Sequence, residues 1–172
     1  GIPTLFADAL RVGGMKDEDA AFARKYQSDL RAAGADLDAA FRGVTEGDFA
    51  RIESERRARD EQAEDYDKML SLKIYERIET PTYRAALGEY SHLGQFPLLE
   101  AGCGTGRFTG LFSEIGNEIV AIDMSRDSIL RNRVRHVGRT FSPVHYVHAD
   151  LTHLPVASEK FGSVAHCGVY EH

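Results

Sequence analysis

The spacing of apolar residues changes along the chain, and the changes divide it. Positions 3–12, 17–33 and 36–42 read as helices separated by Gly13-Gly14 and Gly34, with Ala20, Ala21, Phe22, Tyr26 and Leu30 as apolar positions of the second. A helix start follows at Thr45-Glu46-Gly47-Asp48, and from 48 to 79 acids and bases alternate around few apolar residues. The part from 56 to 67 therefore predicts a solvated helical face carrying charge pairs at i, i+4. Pro81 and Gly88 punctuate the approach to a different pattern. Four short apolar, β-rich runs at 97–101, 118–123, 144–149 and 163–167 predict strands. Between the first two, Phe108, Leu111, Phe112 and Ile115 recur at i, i+3, i+4 and i+7, which predicts a helix over 107–115 stopped by Gly116. Strands alternate with helices from position 97 onward, an α/β pattern. The expected organisation is a helical segment at 1–55 followed by a sheet-forming domain at 56–172.

The join between the first strand and its helix carries the chemistry. Leu98-Leu99-Glu100-Ala101-Gly102-Cys103-Gly104-Thr105-Gly106 is an apolar run, an acid and three glycines at alternate positions. Glycine lets a backbone turn sharply and approach a ligand at contact distance, and the following helix turns its unpaired N–H groups toward that place. A dinucleotide fingerprint would need its third glycine where Arg107 stands. A Walker phosphate loop would need a lysine and a hydroxyl that Arg107 and Phe108 do not supply. A second acid, Asp123, ends the second strand run and so arrives beside the glycine turn; a third, Asp150, ends the third run.

The Gly-x-Gly-x-Gly turn with its preceding acid resembles that of the class I S-adenosylmethionine-dependent methyltransferases. Four further segments agree in order. Asp123 and Asp150 stand where the family has its ribose and adenine acids. The run from Leu154-Pro155 to Phe161 and Val164 is similar to the family's Leu-Pro-Phe-x-x-x-x-Phe-Asp-x-Val segment, and Val169-Tyr170-Glu171-His172 to its Val-Leu-Glu-His. Val156 and Gly162 depart from the pattern, and Cys167 replaces the first acid of the Glu-x-x-x-Glu-His metal site of some quinone O-methyltransferases, so no metal is carried over. The resemblance covers positions 56–172.

It implies a Rossmann-like sheet of about four parallel strands with flanking helices, incomplete relative to the family's seven and truncated after strand four, plus the N-terminal helical segment. It implies S-adenosyl-L-methionine as cofactor and S-adenosyl-L-homocysteine as product. The turn Glu100, Ala101, Gly102, Cys103, Gly104 and Gly106 would hold the cofactor, with Glu100 and Gly102 at its methionine half, Asp123 at the ribose, Asp150 at the adenine, and Met124 and Leu151 as apolar neighbours of the base. Cys167 falls at the carboxyl end of a central strand of the same site. Ala63-Glu64-Asp65-Tyr66-Asp67 resembles the family's Ala-x-x-Tyr-Asp entrance, giving Tyr66 a place at the methionine carboxylate; the other reading is a ring packed under its helix. His172 stands either as a general base for the acceptor or as pocket wall.

Composition narrows the alternatives. A net charge of −6 offers no global attraction to nucleic acid or an anionic membrane. The arginines at 126, 131, 133, 135 and 139 read as an exposed helix face rather than a nucleic-acid patch. No run of 18 apolar residues and no signal-peptide pattern is present, so a cytoplasmic location is expected. Cys103 and Cys167, the only cysteines, are expected as free thiols. His145 and His148 should face opposite sides of a strand and share no metal. The function expected is methyl transfer to a small-molecule acceptor, this chain supplying mainly the cofactor half and being inactive alone. The alternatives are a non-catalytic cofactor-binding or protein-pairing module and a nicotinamide oxidoreductase. An exposed fourth-strand edge would call for a homo-oligomer or a second chain to complete the sheet.

Overall fold

In the computed structural model, residues 28, 46–70, 75–89, 97–154, 156 and 159–169 are described. Helix α1 spans Glu46–Leu70 and is followed by a π-helical turn at Tyr75–Glu79 that leads into α2, Thr80–Gly88. Four strands follow, β1 at Leu98–Ala101, β2 at Ile119–Asp123, β3 at Val144–His148 and β4 at Ser163–His166. Helix α3, Thr109–Ile115, joins β1 to β2, and α4, Arg126–His136, joins β2 to β3.

All four strands pair in parallel, in the order β3-β2-β1-β4. The first strand is therefore central, and the chain reverses direction across the sheet between β3 and β4. A sheet of this kind binds ligands beyond the carboxyl ends of its strands, where that reversal opens a crevice. The strands predicted from sequence occur within a residue of their expected bounds. Pro81 opens α2 rather than ending a helix, as suits its fixed φ and missing N–H at a first helical turn. Helix α3 begins two residues later than its apolar stripe suggested, because residues up to Phe108 are still occupied by the turn.

Period-two alternation along β1 and β2 sends Leu98, Ile119 and Ala121 to one face, where they pack with Phe108, Leu111, Phe112 and Ile129. Tyr83 of α2 meets Phe108 edge to face, with ring centroids 4.7 Å apart. The opposite face holds a smaller cluster of Leu99, Ile122 and Ala149, against which Leu151, Leu154 and Phe161 pack. Val164 of β4 is 62% exposed, so this second face is open at that strand.

Helix α1 runs without interruption through position 55. Its charged face carries the expected pairs, among them Glu55 with Arg59 and Glu64 with Lys68. Its inner side docks on α4. Asp60 accepts from the Ser125 hydroxyl at 2.6 Å and from the Asp127 N–H at 3.2 Å, and Arg131 and Arg135 face Asp67. The basic run 126–139 thus does more than coat a surface: part of it holds α1. The helices expected at 3–12, 17–33 and 36–42 lie outside the described residues, apart from Ser28.

Candidate functional site

Strand β1 ends by staying zipped to β2: Gly102 and Cys103 both donate their N–H groups to the Ile122 carbonyl, at 2.8 and 2.9 Å. The chain then turns through Gly104 and Gly106, closed by the Gly106 N–H on the Cys103 carbonyl at 3.1 Å. Gly102, Gly104 and Gly106 have φ of +70°, +50° and +91°, a region that side-chain-bearing residues rarely adopt. A Cβ at Gly106 would in addition lie 2.4 Å from Asn132 Oδ1, and one at Gly102 only 2.3 Å from Val169 Cγ2. On Gly104 the nearest atom to such a Cβ is Tyr66 Cε1, at 3.9 Å. That side of the turn is open.

The opening belongs to a cavity of about 790 Å³ at the carboxyl ends of the strands. Gly102, Gly104, Asp123, Met124, Asp150, Leu151 and Cys167 line it from the sheet side, and α1 forms the opposite wall. From that wall Arg51, Arg59, Gln62, Tyr66 and Met69 face it. A volume of this size accommodates a nucleoside-sized ligand with room beside it.

Asp123 sits at the centre. One carboxylate oxygen accepts the Gly104 N–H at 2.8 Å and the other the Ser125 N–H at 2.8 Å, so the group bridges the glycine turn to the start of α4. Burial pushes its pKa up, opposed by these two N–H bonds and by the charge of Arg59. Each oxygen keeps a further lone pair for a ligand hydroxyl. Ser125 caps α4, accepting the Ser128 N–H at 3.1 Å. Asp150 accepts from the N–H and the hydroxyl of Thr152 and so fixes the short 3-10 turn at Leu151–His153.

Of the residues singled out in the sequence, Tyr66, Gly102, Gly104, Asp123, Met124, Asp150, Leu151 and Cys167 come together on this one cavity. Tyr66 is 43% exposed there and borders the cavity. Glu100, Ala101, Cys103 and Gly106 do not line it. Glu100 shares the face of Leu98, so strand alternation carries it away from the cavity and under α3, where Thr109 donates to it at 2.8 Å. Burial raises its pKa to about 8, against the effect of the Thr109 bond. Cys103 is likewise buried in the core against α3, with its thiol pKa pushed well up by burial. Neither cysteine is in a disulfide. His172 lies outside the described residues. His145 is exposed and pairs with Glu118, whereas His148 is buried and bonded to the Met124 carbonyl at 2.9 Å, so the two occupy separate sites.

Sequence reasoning missed the α1 wall except for Tyr66. Arg51, Arg59, Gln62 and Met69 recur at helical spacing with Tyr66, but nothing in their composition distinguishes a face over a cavity from one in water.

Residues 99–172 match the family model described as "Methyltransferase domain". A curated relative, the malonyl-[acyl-carrier protein] O-methyltransferase of Buchnera aphidicola subsp. Baizongia pistaciae, is 36% identical over 64 residues, which are 37% of this chain and 24% of the relative. The protein of the same name from Hamiltonella defensa is 30% identical over 63 residues, covering 37% of this chain and 22% of that one. The chain thus matches about a quarter of the length of these relatives. Two solved structures share its fold. Phosphoethanolamine N-methyltransferase 1 of Haemonchus contortus, in complex with phosphoethanolamine and S-adenosylhomocysteine, has a TM-score of 0.51 at 19% identity over 72% of this chain and 26% of its own. DhpI in complex with SAH has a TM-score of 0.54 at 20% identity, covering 70% of this chain and 55% of that one. The parallel β3-β2-β1-β4 sheet, the glycine turn and Asp123 all fall within or beside the stretch that resembles a methyltransferase domain.

Proposed function

We propose that the cavity beyond β1 and β2 binds S-adenosyl-L-methionine and that the chain serves transfer of its methyl group to a small-molecule acceptor. The observation that carries this reading is the Asp123 carboxylate. It stands at the cavity wall, tied to the Gly104 and Ser125 N–H groups and oriented by both. A vicinal diol of a ribose is the ligand group that a fixed carboxylate with spare lone pairs best accepts. The residues fit the rest of the cofactor. Gly104 leaves open space where a side chain would intrude, Met124 and Leu151 offer apolar surface, and Asp150 presents an acceptor beside them.

When bound, the cofactor's sulfonium supplies the activated methyl group, and no enzyme nucleophile is required. The chain's own contribution is therefore positioning and exclusion of water. The α1 wall closes the cavity opposite the sheet side, and there the Tyr66 ring comes within contact distance of the place a Cβ on Gly104 would take. The space along Arg51, Arg59 and Gln62 is where an acceptor would lie. His172 stays a candidate general base, three residues after Val169 in the sequence.

Titration calorimetry with S-adenosylhomocysteine tests the reading. The chain should bind it in preference to NADH, and Asp123→Ala should weaken binding by about tenfold or more, the loss of a charge-assisted hydrogen-bond acceptor. Preference for NADH, or unchanged affinity in Asp123→Ala, overturns the proposal.

A further inference from the structure

Helix α4 reaches the glycine turn from behind, on the side away from the cavity. Asn132, fully buried, donates from Nδ2 to Thr109 Oγ1 at 2.8 Å and accepts from the Tyr146 hydroxyl at 3.2 Å; Thr109 in turn donates to Glu100. One turn further along, the His136 ring places Nε2 2.7 Å from the Gly106 carbonyl oxygen. A carbonyl only accepts, so Nε2 carries the hydrogen. The ring is also wedged in place. A Cβ at Gly106 would lie 3.0 Å from its Cδ2, and one at Gly110 3.1 Å from its Cε1. His136 itself does not line the cavity.

We infer that His136 is a positioning residue for ligand binding. By holding the Gly106 carbonyl, it keeps the turn in the one conformation that aims the Gly104 N–H at Asp123 and leaves Gly104 open to the cavity. The physical need is plain. A turn of three glycines has more conformational freedom to lose than any other, and any freedom left in the unliganded turn must be given up on binding. Neighbouring Asn132 ties the second half of α4 to the start of α3, whereas His136 reaches the Gly106 carbonyl itself. The inference rests on the cofactor reading for its binding readout.

Three variants separate the donor from the bulk of the ring. His136→Gln retains an N–H at the reach of Nε2, His136→Asn carries the same amide too short, and His136→Ala has neither. In calorimetry on the 172-residue chain, S-adenosylhomocysteine affinity should stay within about threefold of wild type for His136→Gln and fall about tenfold for His136→Asn and His136→Ala. Thermal unfolding measured in parallel separates a loss of affinity from a loss of fold. Without ligand, amide exchange at Gly104 and Gly106 should accelerate in His136→Ala and His136→Asn but not in His136→Gln. Unchanged exchange in His136→Ala, or a His136→Gln variant that binds as weakly as His136→Ala, overturns the inference. Failure of the wild-type chain to bind S-adenosylhomocysteine overturns the cofactor reading instead, while the exchange measurement still decides the role of His136.

Discussion

Helix α1 and the sheet it faces are built on opposite principles. Along β1 and β2, Leu98, Ile119, Ala121 and Ile122 are at most 2% exposed, and behind them the polar chain Tyr146, Asn132, Thr109 and Glu100 links four elements through buried hydrogen bonds. In α1, among the described residues, only Ile52 and Ala63 are buried; the helix is held by Asp60 on the start of α4 and by ion pairs to Arg131 and Arg135. Cores of the first kind open only with the whole domain, whereas surfaces joined by a few polar contacts open on their own. Both regions wall the same cavity. The packing therefore predicts that the sheet side resists opening more than α1 does.

The sharpest way to break this contrast is to remove packing from the sheet. Ile122→Ala should cost about 2–5 kcal/mol in chemical denaturation, since Ile122 is fully buried. An effect below about 1 kcal/mol would mean that the sheet is as loosely held as α1.

Next comes the buried acid. Glu100 has a folded pKa raised from 4.5 to about 8, so the folded state holds a proton that the unfolded chain has lost. Its contribution to stability is fully present below pH 4.5 and is lost as pH rises through about 8. Across that window Glu100 lowers stability as pH rises, against the opposite effect of His136 and His148, so Glu100→Gln should gain stability relative to wild type toward high pH. An unchanged slope in the variant would place the titration elsewhere.

Loosening α1 should have a smaller global effect. Asp60→Ala removes the acceptor for the Ser125 hydroxyl and the Asp127 N–H, and should cost about 1 kcal/mol. Limited proteolysis should show α1 cut faster while β1 and β2 stay protected. Equal protection of both would join them into one unit. Smallest of all, Lys68→Ala removes exposed pairs with Glu64 and Asp65 on the solvent side and should leave unfolding unchanged.

The sheet was legible because its signals are local and redundant. Strand periodicity placed all four strands, and three glycines between Glu100 and Arg107 located the turn, since glycine takes the φ values found there without steric cost. Asp123 and Asp150 followed from their places at strand ends. Glu100 shows where motif reading and geometry part. The turn's resemblance put it on the cofactor, but its register with Leu98 put it on the α3 face, and register decided. Residues such as Arg59 and His136 carry no such local mark. They matter through what they meet 30 or more residues away, which is a property of docking rather than of spacing.

The amino-acid sequence by itself determined the elements, their parallel α/β arrangement and the glycine-acid turn, because backbone sterics and apolar period act over a few residues at a time. Only the tertiary structure decided that α1 forms the far wall of the cavity, that Glu100 turns into a buried polar chain, and that α4 grips the glycine turn through His136. Those outcomes depend on which faces of separate elements come into contact, and packing of the whole chain selects them.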